Sequence, residues 1–153
     1  MTTVWLALGS NVGDRASKLR AARAALEDSG IEISAASSIA DTEPVGVTDQ
    51  PRFLNQVLEA TTSLPPRALL AKIKAIEVQL GRRPRRRWGP REIDIDILLY
   101  GKEVVDDPDL RIPHPELTNR RFLLNLLAEL DPHLLHPVEQ RSVAAMLRQI
   151  REP

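Results

Sequence analysis

Two aspartates separated by a single residue are the strongest candidates for chemistry in this sequence. Asp94 and Asp96 alternate with a set of apolar residues: Ile93, Ile95, Ile97 and Leu99. This alternation is typical of a strand with one buried face, so both carboxylates are expected on the opposite face. Two residues along a strand span about 6.6 Å, and carboxylates at that spacing repel each other unless a cation lies between them. Because hard divalent cations are often held by one or two carboxylates together with substrate phosphates, the pair predicts a metal site.

A strongly basic segment immediately precedes the two aspartates. It contains six arginines: Arg82, Arg83, Arg85, Arg86, Arg87 and Arg91. A run of arginines is more often a solvated loop or a nucleic-acid contact than a catalytic segment. Guanidinium groups also pair with phosphate oxygens through parallel hydrogen bonds, whereas neighbouring carboxylates would repel the phosphates of a nucleic acid. A metal ion and arginines acting on one polyphosphate ligand therefore explain both features.

Length and composition indicate an ordinary globular protein. The chain has 153 residues, of which 42% are hydrophobic, with no cysteine and a formal net charge of +0. We expect a single domain over residues 1–153, without the overall charge that attracts nucleic acid or an anionic membrane. The absence of cysteine permits a reducing compartment, and no segment has the pattern of a signal peptide or a membrane span. We therefore expect a cytoplasmic monomer whose partners are small molecules.

Apolar periodicity and turn residues predict the elements that position these groups. Strands are predicted at residues 4–8, 31–41, 53–62 and 93–99, with a short return strand at 104–105, and helices at 19–26, 66–80, 122–130 and 143–150. Residues 42–51 and 106–115 are predicted loops, because they are rich in Pro, Gly and Asp. The order of strands and helices predicts an α+β fold with a ferredoxin-like antiparallel sheet, helices packed on it and extra C-terminal elements.

The third predicted strand presents an aromatic and an amide together. Leu54, Leu58 and Ala60 are expected to face the core, which leaves Phe53 and Asn55 on the other face. Phe53 could simply pack at an edge. An aromatic beside an amide would also suit a flat heterocycle whose ring carries hydrogen-bond donors.

Several of these stretches together resemble one enzyme family. They are Gly9-Ser10-Asn11, the Asp-Gln-Pro-Arg-Phe-Leu-Asn of residues 49–55, Ile76-Glu77 with Leu80-Gly81-Arg82, the Arg-Trp-Gly-Pro-Arg-Glu-Ile-Asp-Ile-Asp-Ile-Leu of residues 87–98, and Ile112-Pro113-His114-Pro115 with Asn119-Arg120-Arg121-Phe122. In order and spacing the chain resembles the 6-hydroxymethyl-7,8-dihydropterin pyrophosphokinases of folate synthesis. The resemblance implies transfer of pyrophosphate from ATP to the hydroxymethyl group of the pterin, releasing AMP.

The same resemblance implies roles for individual residues. The catalytic positions would be Arg82, Arg91, Asp94 and Asp96. The two aspartates would bind Mg²⁺, as two ions. The pterin would be held by Thr42, Val45, Phe53, Asn55, Trp88 and Phe122. The ATP site would comprise Lys74, Glu77, Arg82, Arg91, Ile97, Arg111, His114 and Arg120.

Some positions leave alternatives open. Lys74 stands where some relatives carry an amide, and Arg111 stands where relatives vary. His114, between two prolines, could bond backbone instead of a phosphate, and His133 and His136 are interpreted as structural. The arginine segment with Trp88 is predicted to close over the site when ATP supplies counter-charge. The competing function is a non-catalytic nucleotide- or RNA-binding ferredoxin-like module, although the base-stacking aromatic pattern of such RNA-binding sheets is absent.

Overall fold

An antiparallel sheet lies between two pairs of helices in the computed structural model, which describes residues 1–43, 50–81 and 92–150. Its strands are β1 (Thr2–Ser10), β2 (Glu32–Ala36), β3 (Ala40–Thr42), β4 (Phe53–Thr62) and β5 (Asp94–Tyr100). A separate hairpin pairs β6 (Val105–Asp107) with β7 (Leu110–Ile112). The helices are α1 (Arg15–Asp28), α2 (Pro66–Gln79), α3 (Arg121–Leu130) and α4 (Val143–Gln149), with a short 3₁₀ turn at Leu117–Asn119.

The strand order confirms the predicted α+β fold. The path across the sheet is β2-β4-β1-β5, with β3 paired to β4, and each of these pairs is antiparallel. With the short β3 set aside, this is the order of a ferredoxin-like fold, in which the first and third strands are central. The strand β5 therefore lies at one edge of the sheet, next to β1.

Two hydrophobic clusters cover the two faces of the sheet. The first joins α1 and α2 to inward residues of the strands, among them Leu6, Leu58 and Ile95. The second joins α3 and α4 to Trp5, Ala7 and other residues of the opposite face. Leu58 and Ala60 lie in the first cluster and Leu54 packs against it, as predicted. Helices α3 and α4 pack on the second face around Trp5 and Ala7. The ends of the strands near Gly9 of β1, Asn55 of β4 and Asp94 of β5 carry the polar groups described below.

The predicted strand over residues 31–41 is instead two short strands. Ser37 separates them, and its backbone N–H donates to the carbonyl oxygen of Val57 at 2.9 Å. Its Oγ accepts from the N–H of Val57, also at 2.9 Å. The side chain of Ser37 thus replaces a backbone partner, which is the local competition that interrupts regular strand pairing.

One residue of the aspartate strand faces the opposite way from its prediction. Leu99 was expected beside the isoleucines, but it packs in the second cluster with Trp5. The register passes from Trp5↔Leu99 to Leu6↔Ile97, so Leu98 is an extra residue in β5. Such a bulge shifts the alternation by one position. The two aspartates precede the bulge and keep their shared face.

The predicted loop at residues 106–115 contains most of the β6–β7 hairpin. The return strand pairs with β7 rather than with β5, and Val105 lies opposite Ile112. Arg67 of α2 holds this hairpin through ion pairs with Asp107 at 2.7 Å and Asp109 at 3.0 Å. Turn-rich composition predicted a loop, whereas pairing within the hairpin and the contact with α2 order these residues as strands.

Residues beyond Leu130 complete the second cluster, through Val143 and Met146 of α4. His136 is buried and its Nδ1 accepts from the N–H groups of Val138 and Glu139, at 3.2 and 3.0 Å, which agrees with a structural role. In the three described stretches, no helix combines the length and the apolar character that crossing a lipid bilayer requires.

Candidate active site

Asp94 and Asp96 project from the same face of the edge strand β5, as predicted. In the sheet register Asp94 lies opposite Gly9 of β1, and Asp96 lies opposite Ala7. Burial raises the pKa of Asp96 well above its usual range, and the charge of Asp94 together with a hydrogen bond between the two carboxyl groups raises it further. Two carboxylates that are this close favour either a shared proton or a bound cation.

A third carboxylate lies behind this pair. Glu77 of α2 is 2% exposed, and its Oε2 accepts a hydrogen bond of 2.8 Å from the N–H of Ile95. Its Oε1 lies 3.5 Å from Nζ of Lys74. An edge strand leaves N–H groups without strand partners, so Glu77 satisfies the one that lies between the two aspartates. The contribution of Glu77 to ATP binding remains a prediction, whereas its contact with the strand is observed.

A cleft of about 420 Å³ opens beside β5, and it contains several of the residues that were predicted to bind ATP. The predicted residues that line it are Lys74, Ile97, Arg111 and His114, together with Asp96. The remaining walls are Leu70, Ile95 and Pro115, with the hairpin residues Pro108, Asp109 and Leu110. Apolar walls with a few cationic and hydrogen-bonding groups are typical of a small-molecule pocket. The fold thus brings α2, β5 and the hairpin together around one cleft.

His114 bonds the backbone, which is one of the two alternatives that the sequence left open, and it also lines the cleft. Its backbone N–H donates to the carbonyl of Leu98 at 3.0 Å, and its Nδ1 accepts from the N–H of Glu116 at 3.1 Å. Burial lowers the pKa of His114, and the charge of Arg120 lowers it further. In the neutral ring with Nδ1 as acceptor, the proton is on Nε2. The side chain therefore lines the cleft with a neutral imidazole whose Nε2–H is a donor.

Thr42, Phe53 and Asn55, which were predicted to hold the pterin, lie on the sheet face that also carries the two aspartates. Asn55 is 9% exposed, and its Nδ2 donates to Oγ1 of Thr42 at 2.5 Å. Phe53 is half-buried, and its backbone pairs with Thr42 of β3. Phe122, in the first turn of α3, is half-buried and packs against the second cluster, which covers this face. Arg120 is the N-cap residue of the same helix.

Four predicted site residues lie outside the described part of the chain: Val45, Arg82, Trp88 and Arg91. Among the described residues, no group of three or more acidic or histidine side chains is arranged to hold a metal ion. The acidic pair on β5 is consistent with Mg²⁺, because that ion commonly takes one or two carboxylates and completes its shell with phosphates and water.

Two further residues support the site and were not among those predicted. Ser10 is fully buried, and its Oγ donates to the carbonyl of Glu92 at 2.6 Å. Asn11 is 1% exposed, and its Nδ2 donates to Oε1 of Gln50 at 2.8 Å and to the carbonyl of Pro51 at 3.0 Å. The end of β1 thus fixes the chain just before β4 and just before β5. The Gly9-Ser10-Asn11 motif was the signal in the sequence that could have identified them.

Comparison with known proteins gives one consistent family. A family model described as 7,8-dihydro-6-hydroxymethylpterin-pyrophosphokinase (HPPK) matches residues 5–132. The chain is 48% identical over 141 residues to the 2-amino-4-hydroxy-6-hydroxymethyldihydropteridine pyrophosphokinase of Aquifex aeolicus, covering 92% of this chain and 88% of that protein. It is 46% identical over 127 residues to the protein of the same name from Bacillus subtilis, covering 82% and 76%.

Longer proteins contain a similar region. The mitochondrial folate synthesis bifunctional protein of Pisum sativum is 46% identical over 127 residues, which is 83% of this chain but 25% of that protein. A crystal structure of HPPK-DHPS in complex with substrates superposes with a TM-score of 0.75 at 14% identity, over 96% of this chain and 43% of that one. At that identity the structural likeness supports the fold alone. With the family model and the two bacterial relatives, the conclusion is that the chain belongs to the 7,8-dihydro-6-hydroxymethylpterin-pyrophosphokinase (HPPK) family.

Proposed function

We propose that the chain transfers the pyrophosphoryl group of ATP to the hydroxymethyl group of 6-hydroxymethyl-7,8-dihydropterin, giving AMP and the pterin diphosphate. As a member of its family it is an ATP-dependent diphosphotransferase of folate synthesis. One observation carries the assignment to specific residues. Asn55 on β4 and Asp94 on β5 both lie opposite Gly9, on one face of the sheet, with a single strand between them. Adjacent strands are about 4.8 Å apart, so the two backbones are separated by about 10 Å, a span suited to a bicyclic ring with a short substituent.

The pterin would lie over the β4 side of this face. Asn55 is already oriented by its bond to Thr42, which leaves amide groups for the polar edge of the ring. Phe53 and Phe122 would stack on the two faces of the ring, since flat heterocycles favour aromatic contacts. Val45 and Trp88 are proposed to complete the slot on the strength of the sequence motifs.

The nucleotide would lie in the cleft beside β5. Leu70 and Ile97 offer apolar surface for the base, while Lys74, Arg111 and His114 offer hydrogen-bond donors to the sugar and the phosphates. Because burial keeps His114 neutral, it would donate through Nε2–H rather than act as a cation. Arg120 is proposed to contact phosphate, and Glu77 is proposed to act there through Lys74 and the position of β5.

Asp94 and Asp96 are the residues that would hold Mg²⁺, and two ions are proposed from the sequence. When bound, Mg²⁺ supplies charge neutralisation at the phosphates and lowers the pKa of the acceptor hydroxyl. The chain itself keeps both carboxylates on one face of β5, with Asp96 lining the cleft, and Glu77 of α2 holds the strand between them. Pyrophosphoryl transfer depends mainly on positioning and charge stabilisation. Arg82 and Arg91 are proposed, from the sequence, to stabilise negative charge on the transferring group.

The decisive experiment measures the AMP that is formed from ATP in the presence and in the absence of reduced 6-hydroxymethylpterin. We expect AMP only when both the pterin and Mg²⁺ are present, and loss of at least about a thousandfold in turnover for Asp94→Asn or Asp96→Asn. The matched control is Asp28→Asn, which removes an exposed carboxylate at the C-terminal end of α1, and it should keep most activity. ATP binding without pterin-dependent AMP formation would instead support a non-catalytic nucleotide-binding module, and binding of RNA would support the other alternative. The predictions of a monomer and of a cytoplasmic location stand on the sequence.

A further inference from the structure

The central strand β1 has its smallest side chains where the two halves of the site meet. Gly9 lies opposite Asn55 of β4 on one side and opposite Asp94 of β5 on the other. One row further along, Ala7 lies opposite Val57 and Asp96 in the same way. Strand β1 therefore separates β4, which carries Asn55, from β5, which carries the two aspartates. In these two rows β1 contributes little more than its backbone.

Backbone conformation does not explain the glycine at position 9. Gly13, Gly30, Gly81 and Gly101 have positive φ angles, but Gly9 does not, and it is paired in register with both neighbouring strands. A residue with a side chain could adopt this conformation, and glycine inside a strand lowers stability. Glycine in such a position is expected where another group approaches the backbone closely.

The approaching group is the amide of Asn55. A Cβ placed on Gly9 would lie 3.1 Å from Oδ1 of Asn55 and 3.8 Å from Cδ1 of Phe53. The third close atom is the carbonyl oxygen of Leu54, at 3.9 Å, so all three of the nearest atoms belong to β4. A separation of 3.1 Å is tighter than ordinary van der Waals contact, and either Asn55 or the added methyl group would have to shift.

Asn55 has little freedom to shift. Its Nδ2 donates to Oγ1 of Thr42 at 2.5 Å, and the residue is 9% exposed. In the described part of the chain this is the one hydrogen bond of its side chain. A displacement of Oδ1 away from Gly9 would rotate the amide and strain the bond to Thr42. The position of this amide is therefore set on one side by Thr42 and on the other by the missing side chain of Gly9.

We propose that Gly9 is a specificity-determining residue, because the absence of a side chain at this position lets the Asn55 amide take the orientation that recognises the pterin. The inference depends on the proposed pterin site and adds to it the reason for the glycine. It concerns the pterin alone, because the described residues that line the nucleotide cleft come from α2, β5 and the segment that contains the β6–β7 hairpin. A side chain at position 9 should thus weaken recognition of the ring without weakening recognition of ATP.

The first test is calorimetric titration of the Gly9→Ala variant with the reduced pterin and, separately, with a non-hydrolysable ATP analogue and Mg²⁺. We expect the dissociation constant for the pterin to rise at least about tenfold, and that for the ATP analogue to stay within about twofold. The melting temperature should change little, because the preference for alanine over glycine within a strand offsets the strain on the bond between Asn55 and Thr42. Gly13→Ala is the matched control: its φ of 73° with nothing within 4 Å predicts a lower melting temperature but normal pterin affinity.

A double-mutant cycle tests whether Gly9 acts through Asn55. In an Asn55→Ala background the added methyl group no longer meets the amide, so Gly9→Ala should change pterin affinity by less than about twofold there. Equal losses in both backgrounds would overturn the proposal, as would an unchanged pterin affinity in the single variant. A fall in melting temperature with equal weakening of both ligands would show a structural role instead.

The wild-type titration separates this inference from the proposed function. If the wild-type protein binds no pterin and forms no AMP, the proposed function is wrong and the inference fails with it. If the wild-type protein binds pterin and Gly9→Ala binds it equally well, the function stands and only the role of Gly9 is wrong.

Discussion

The carboxylate of Glu77 accepts a hydrogen bond from the backbone N–H of Ile95, the residue that separates Asp94 from Asp96. The bond is 2.8 Å long and Glu77 is 2% exposed, so one buried acid on α2 sets the position of the strand that carries the other two. Three carboxylates therefore converge, but they differ in their tasks. Asp94 and Asp96 lie on the sheet face where ligands are proposed to bind, while Glu77 accepts a hydrogen bond from the backbone between them.

Glu77→Ala should reduce both stability and activity, because it leaves the N–H of Ile95 without this acceptor. An unsatisfied buried donor costs about 1–3 kcal/mol in the free energy of unfolding. Glu77→Gln keeps an oxygen that can accept this bond, so it should retain more stability than the alanine variant. Urea unfolding and AMP formation measure the two effects. Equal stability of the alanine and glutamine variants would contradict the positioning role.

Asp96→Asn should abolish turnover while raising the stability of the metal-free protein at neutral pH. Since burial and Asp94 raise the pKa of Asp96, the folded state prefers the protonated form. As pH rises from the unfolded pKa of Asp96 towards its folded pKa, this group therefore lowers the free energy of unfolding. Asparagine cannot ionise, so the variant lacks this loss. Urea unfolding in EDTA at a series of pH values should show the largest gain over wild type at the highest pH. A pH-independent difference would contradict the assignment.

Phe122→Ala should weaken pterin binding much more than ATP binding. Loss of one stacking partner removes about 1 kcal/mol beyond the lost contact area. Because Phe122 also packs against the second cluster, some loss of stability is expected as well. Phe122→Leu is the control, since it keeps apolar bulk but not the aromatic face. Titration with each ligand decides the matter, and equal weakening of both would indicate a packing role only.

Arg67→Gln should weaken ATP binding while leaving pterin binding unchanged. Arg67 pairs with Asp107 and Asp109, and the hairpin that it holds contributes Asp109 and Leu110 to the nucleotide cleft. These ion pairs are exposed to solvent, so their loss should alter the hairpin position more than the overall stability. The ratio of the two dissociation constants, measured at low and high salt, checks this. Wild-type ATP affinity should also fall at high salt if the clamp contributes.

His136 should make the protein less stable in mild acid. Burial lowers its pKa, and its Nδ1 accepts hydrogen bonds from two backbone N–H groups. The folded state therefore favours the neutral ring. Its contribution is fully present above the unfolded pKa of about 6.5 and is lost as pH falls through the folded pKa. His136→Asn keeps an acceptor but cannot protonate at these pH values. The variant should show a smaller decrease in the free energy of unfolding between pH 7.5 and pH 5 than wild type.

Local patterns were sufficient for much of the fold and for the sheet face on which the candidate site residues of β4 and β5 lie. The period-2 alternation at 93–97 placed Asp94 and Asp96 on one face, and the same argument separated Phe53 and Asn55 from Leu58. Helix α2 followed from its apolar spacing, with prolines at its start and Gly81 after its end. These features depend on residues that are close along the chain, so the periodicity of strands and helices predicts them directly. The motifs around Arg87–Ile97 and His114 identified the family, although the roles of the residues at 82–91 lie outside the described structure.

Contacts between distant segments determined the remainder. No local pattern shows that Glu77 would meet the N–H of Ile95, that Ser37 would pair with Val57, or that Leu98 would form a bulge and turn Leu99 to the other face. The same is true of Gly9, which stood in a recognisable motif but whose sheet neighbours Asn55 and Asp94 both lie much further along the chain. Sheet register brings these three residues into one row, and it is set by the packing of both sheet faces at once. The chemistry that individual side chains could perform was therefore predictable from residue type and spacing. The distances between those side chains are set by strand pairing across the whole sheet.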